Sequence, residues 1–297
     1  FDKAIEIIRK KGQAIAAKRS DRQASEGCVL AASNGEFAAV VAIKCETDFV
    51  AQNADFIALT QSILDAAMAN KVADKDALLA LAIDGRSIAD LITDRSGITG
   101  EKMELGFYEV VNGAATVAYI HPGNKLATVV AFNEALDAQV AREVAMQVAA
   151  MNPIAVDEDS VSEEIKQTEI NVAIEKTKAE LVQKAVDAAL NKAGINPAHV
   201  DSEDHMESNK AKGWITEEDV VKAKEIIATV SAEKAASLPE AMIQNIAKGR
   251  LAKFLKEVCL LNQEDILDGK KTVRETLKAA DAELKISDFK RFTLRPE

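Results

Sequence analysis

The sequence predicts an α+β protein: two subdomains of antiparallel strands packed with helices, plus an inserted antiparallel helical hairpin of coiled-coil type. Three observations carry that prediction. Apolar, strand-length runs flank the pairs Asn34-Gly35 and Asn112-Gly113, and Asn-Gly between such runs is the strongest short hairpin signal because both residues tolerate positive φ. Each of these units is followed by an amphipathic helix pattern, which suggests a duplicated arrangement of strands and helices. Charged helical sequence from Val161 to about Lys192 and from Thr216 to Ala235 encloses a polar segment with Gly194, Pro197 and Gly213, the pattern of two antiparallel helices about a loop.

Taken in order, the chain opens on helical spacing at Ala4, Ile5, Ile8 and Ile15, with Gly12 as the expected C-terminal stop and Lys18, Arg19 and Arg22 as a linker. Strands are expected from Gly27 to Ala32 and from Phe37 to Ile43, then a helix burying Phe56, Leu59, Ile63, Leu64 and Ala67. Downstream, Phe107–Val111 and Ala114–Ile120 read as a second hairpin across Asn112-Gly113. The turn His121-Pro122-Gly123-Asn124, a strand from Leu126 to Phe132 and a helix from about Ala138 to Met151 follow. In the charged region, Val161, Ile165, Thr168 and Val172, then Ile174, Leu181, Ala185 and Ala188, form the apolar stripe. Fully helical, ~30 residues extend about 45 Å. The last part returns to core texture, with a helix through Ile243 and Phe254, another from Thr272, and a strand from Phe289 to Leu294.

Composition narrows the function. The chain has 297 residues, 37 Lys plus Arg against 48 Asp plus Glu, and a net charge of −11. That balance repels polyanions and argues against nucleic acid, leaving proteins as the expected partners. Cys28, Cys45 and Cys259 are too few and too scattered for a disulfide framework or a metal knuckle, and read as buried thiols in a reducing compartment. No run of about 18 apolar residues exists, so no membrane span is expected, and the cytoplasm is the expected location. Phosphate-loop, dinucleotide-binding, zinc-protease and nucleophile-elbow motifs are all missing. His121, His199 and His205 are the three imidazoles, and the last two read as exposed loop residues. A hydrolase using Asp48 and His121 has only the residue types in its favour.

The most informative segment is Thr47-Asp48-Phe49-Val50. On local chemistry alone, Thr47 or Asp48 is a helix N-cap and Phe49 the apolar residue that anchors the following helix. Set in Glu46-Thr47-Asp48-Phe49-Val50-Ala51-Gln52-Asn53, however, it resembles the signature of the translation elongation factor Ts family. Tyr119-Ile120-His121-Pro122-Gly123, Ala145 to Ala150 with Asn152-Pro153, Gly249-Arg250-Leu251 and Lys271-Thr272-Val273 fall in that family's order. Phe1 to Arg19 is similar to the last helix of the family's N-terminal ubiquitin-associated-like domain and its linker, so the earlier helices of that domain are expected to be missing. Three departures stand out. Gln52 replaces a usual basic residue, Asn124 an often-found Gly, and Glu264-Asp265 a common Pro-Phe.

The resemblance implies a non-enzymatic guanine-nucleotide exchange factor that binds elongation factor Tu in its GDP form, disturbs the partner's Mg²⁺ site and promotes GDP release, holding no cofactor of its own. Thr47, Asp48, Phe49 and Val50 are then the partner-binding residues, with Phe49 as a wedge and Asp48 as an acceptor, and His121 is a supporting contact. The domain plan it implies is residues 1–24 for the truncated N-terminal domain and linker, 25–115 for core subdomain N, 116–160 with 236–297 for core subdomain C, and 161–235 for the inserted hairpin. The hairpin's stripe allows a homodimer. It also supports an alternative in which the protein is a scaffold or chaperone-like binding factor.

Overall fold

The computed structural model describes residues 2–295, and the elements run in this order. The chain begins with α1 (Asp2–Lys18), β1 (Glu26–Ser33), β2 (Phe37–Cys45), α2 (Asp48–Ala51) and α3 (Ala54–Asn70). It continues through α4 (Lys75–Ala80), a two-residue hairpin of β3 (Ala82–Ile83) and β4 (Arg86–Ser87), α5 (Ile88–Thr99) and β5 (Glu104–Asn112). Then come β6 (Ala115–Ile120), β7 (Leu126–Phe132), α6 (Ala138–Met151), α7 (Glu163–Lys192), α8 (Glu203–Ala211), α9 (Glu217–Ala236), α10 (Glu240–Val258), α11 (Val273–Ala280) and β8 (Ile286–Thr293). Two compact units result, residues 1–160 with 257–297, and residues 161–256. The α+β class is as the sequence predicts.

In the first unit, two three-stranded antiparallel sheets, ordered β1-β2-β5 and β6-β7-β8, stack face to face. Val29 and Ala31 of β1 and Ala38, Val40 and Ala42 of β2 meet Ala127, Val129 and Ala131 of β7, and Phe107 stacks on Phe292 at 4.5 Å between ring centroids. The alternate residues Cys28, Leu30, Phe37, Ala39, Val41, Ile43 and Cys45 face the other way, onto Phe56, Ile63 and Leu64 of α3, Leu78 of α4 and Ile88 and Ile92 of α5. On the far side, Val130 and Phe132 pack under Ala141, Val144 and Val148 of α6 and Val273 and Leu277 of α11. Both faces of each inner strand are therefore covered. That explains why β2 and β7 read as nearly unbroken apolar runs instead of alternating ones. The thiols of Cys28, Cys45 and Cys259 are buried in or beside these layers and are not joined in disulfides.

The first hairpin forms as read. Asn34 N–H donates to Phe37 O, Asn34 Oδ1 accepts from the N–H groups of Glu36 and Phe37, and Gly35 adopts φ +101°. The second does not. Asn112 pairs with Phe37 at the end of β5 while Ala115 pairs with Phe132 at the start of β6, so Asn112-Gly113 carries the chain from one sheet to the other. A Cβ on Gly113 would lie 2.7 Å from Phe132 O, so the glycine is there for close approach of the two sheets and not for a tight turn. Gly12 also departs from expectation. It lies inside α1, buried, where a Cβ would come within 2.4 Å of Thr93 O of α5. It seats one helix on another instead of ending the first.

The second unit has its own core. Val186 and Leu190 of α7, Ile195, Val200, Met206 of α8, Ile215, and Val220 and Ala223 of α9 cluster together. Helix α7 is 30 residues long, as its pattern predicted. The segment between the long helices is more structured than expected, since it holds a short 3₁₀ turn (Pro197–His199) and α8. The buried stripe of α7 is also rotated from the expected one. Ala173, Thr177, Val186 and Leu190 are buried, whereas Ile165 and Val172 are exposed.

Candidate partner-binding site

Thr47 ends the extended run of β2 and caps α2, its Oγ1 accepting from Val50 N–H at 3.4 Å. This much agrees with the local reading of the sequence. The role expected of Phe49 on local chemistry does not survive: Phe49 is 84 % exposed, and Phe56 at 0 %, with Ala51, anchors the following helix instead. Asp48 is exposed beside it, and Val50 is half-buried against the helix-side core. A large apolar ring therefore projects into solvent from a turn of a single helical cycle. Leaving it there costs the protein the burial that a core phenylalanine contributes.

That turn is held from beneath. Glu101 Oε2 accepts from Glu46 N–H and Thr47 N–H, both at 3.1 Å, and its Oε1 accepts from the Thr47 hydroxyl at 2.6 Å. Glu46 returns the exchange. Its carboxylate accepts from Lys102 N–H at 2.7 Å and takes both its oxygens to Arg19 Nη1 at 2.8 Å. Burial of Glu46 works against its charge, but the Lys102 N–H and the Arg19 guanidinium outweigh it and hold the carboxyl below its ordinary value of 4.5. Cys45 is pushed up to about 12 by burial and the Glu101 charge, so it stays a thiol and donates to Thr47 O. Past the turn, Asn53 Oδ1 caps α3 and accepts from Arg95 Nη2 at 2.9 Å, and Arg95 pairs with Asp55 at 3.2 Å.

Glu101 and Arg95 were invisible in the sequence. They come from α5 and the residues after its Gly100 cap, forty or more positions from their partners. Helix α5 itself carries five β-branched residues, three Ile and two Thr, and a glycine in IADLITDRSGIT, which gives a weak helix signal. A cap residue such as Thr47 needs a partner for its hydroxyl, but nothing local says which.

His121 lies in the turn between β6 and β7, with Nδ1 at 3.0 Å from Tyr119 Oη. Asn124 takes φ +54°, a left-handed conformation that Asn tolerates and Gly adopts freely, which accounts for that departure from the family pattern. The turn packs onto the free edge of β1, where Val29 N–H donates to Asn124 O and Lys125 Nζ reaches Glu26 at 2.7 Å. Since Glu26 is the register partner of Cys45, the His121 turn and the Thr47–Val50 turn are borne at the same end of the β1–β2 pair. Beside His121 opens a cleft of about 430 Å³ lined by Tyr119, Met146, Ile266, Arg291 and Arg295 among others. At the third departure, Asp265 organises the loop, accepting from Leu267 N–H, Asp268 N–H and the Thr276 hydroxyl.

Among the described residues, no group of three or more His, Cys, Asp or Glu side chains is placed to hold a metal ion, and no helix is long and apolar enough to cross a membrane. The family model described as Elongation factor TS matches residues 46–295. Proteins named Elongation factor Ts from Bacteroides fragilis and Bacteroides thetaiotaomicron are 72% and 71% identical over the whole chain, which covers 90% of each. One from Porphyromonas gingivalis is 47% identical, again over the whole chain and 88% of its own length. The chain belongs to the elongation factor Ts family, and is a translation elongation factor.

Proposed function

We propose that this chain is a guanine-nucleotide exchange factor for elongation factor Tu: it binds the GDP form, and Thr47 to Val50 enter the partner near its bound Mg²⁺. The observation that carries the reading is the 84 % exposure of Phe49 on an already ordered turn. Burying such a ring in an apolar pocket releases about 1.5–3 kcal/mol. Because Phe49 leaves no core of its own, that energy is available to hold the nucleotide site in a distorted state. Each 1.4 kcal/mol is about tenfold in affinity, so the wedge alone lowers the partner's hold on GDP by roughly ten- to a hundredfold. Mg²⁺ tolerates little departure from octahedral geometry. Once its ligands shift, the diphosphate loses charge neutralisation and leaves. Asp48, exposed next to Phe49, supplies negative charge and hydrogen-bond acceptance there, and His121 makes a supporting contact from its turn on the same strand pair.

The chain's part in this is binding, with no bond made or broken. The scaffold alternative draws on the hairpin, whose helices are joined by a core of Val186, Leu190, Met206 and Val220, while Ile165 and Val172 of the expected stripe are exposed. Replacing residues 161–235 with a short flexible linker tests the point. Under the exchange reading, most acceleration of GDP release survives, and loss of all of it favours the hairpin.

A further inference from the structure

We infer that Glu101 is the positioning residue of the exchange site: it fixes the turn that presents Asp48 and Phe49, and the maximal exchange rate depends on it. The inference rests on the exchange-factor reading above and adds to it a residue outside the Thr47–Val50 segment. Three donors converge on this one carboxylate, two consecutive backbone N–H groups and the cap hydroxyl. A carboxylate, acceptor-only with two oxygens, suits such a set, and charge-assisted bonds of this kind are the strong ones. The neighbouring pair is reciprocal, with Glu46 accepting from Lys102 N–H while Glu101 accepts from Glu46 N–H. Segments 46–47 and 101–102 are thus cross-tied, and Lys102 Nζ extends the tie to the carbonyls of Ser20 and Arg22 after α1. At the other end, Arg95 of α5 holds Asn53 and Asp55. The exposed residues Asp48 and Phe49 lie between two clamps that share one helix and its cap.

A wedge that must enter a closed pocket is effective only if it is already aimed, since small misplacements cost rate steeply. The test compares GDP release from the loaded partner with the unaltered chain, Glu101→Ala and Glu101→Gln over a range of concentrations, together with amide hydrogen exchange of each chain alone. Glu101→Ala is expected to lower the maximal rate about tenfold while the half-saturating concentration changes less. Glu101→Gln regains most of that, because its amide oxygen can accept the two N–H groups and its amide nitrogen can donate to Thr47 Oγ1. In Glu101→Ala the amides of Glu46 and Thr47 exchange faster while those of Val40 and Val41 in β2 keep their protection. A wild-type maximal rate in Glu101→Ala overturns the inference. So does a loss not recovered by Glu101→Gln and accompanied by faster exchange throughout β2, which marks a purely structural role. The amide measurement needs no partner. Failure of the exchange reading itself, seen as no acceleration by the unaltered chain, is therefore distinguishable from failure of the clamp.

Discussion

Phe49 and Phe56 stand seven residues apart, the first exposed and the second buried, and under the proposed function the first serves binding and the second folding. Phe56 is fully buried, so Phe56→Ala should cost about 3–5 kcal/mol of stability in a urea titration. Phe49→Ala should move the same titration by no more than ~0.5 kcal/mol, as expected for an exposed position, while removing most exchange acceleration. A large loss of stability in Phe49→Ala would restore the helix-anchor role. Asp48→Ala should slow exchange less than Phe49→Ala does. Glu46 makes a pH prediction. Its folded value is held below 4.5, so its contribution to stability is present above the unfolded value and is lost as pH falls through the folded one. Glu46→Gln should therefore be less stable than the unaltered chain at pH 7, and the gap between their urea midpoints should close as pH falls below about 4.5. A gap independent of pH would show that the Arg19 and Lys102 partners do not favour the ionised form.

At the scale of elements, the sequence was legible wherever a local pattern met an ordinary environment. The Asn34-Gly35 hairpin, α3, α6, β7 and the 30-residue α7 all follow from periodicity and turn chemistry. It failed where a distant surface set the requirement. Gly12 has the look of a helix stop, yet Thr93 of α5 requires its lack of a side chain. Asn112-Gly113 has the look of a hairpin turn, but two sheets that each need their inner face covered draw its flanking strands apart. The candidate site divides the same way: Thr47 to Val50 could be picked out from the chain, whereas Glu101 and Arg95 could not, since their partners are set by folding alone. Gly12→Val tests the helix seat directly. The branched side chain must displace Thr93 or lift α1, at a cost of about 1–3 kcal/mol, and faster amide exchange in α1 than in β2 should report it. Unchanged protection in α1 would show that the helix does not depend on that contact.

For the molecule as a whole, the proposed exchange function is a coupling between two ligands of one partner. Whatever ratio the factor takes from the partner's affinity for GDP, GDP must take from its affinity for the factor. Titrating the factor onto the partner with and without saturating GDP should yield that same ratio, and affinity for the factor that is independent of GDP would exclude a wedge. The most direct test of the central claim is the release rate of a fluorescent GDP analogue from elongation factor Tu, measured by stopped flow with the unaltered chain and with Phe49→Ala in parallel. The account predicts strong acceleration by the first and at least about a tenfold smaller effect of the second. Equal acceleration by both would contradict it, and would move the origin of exchange away from the exposed ring.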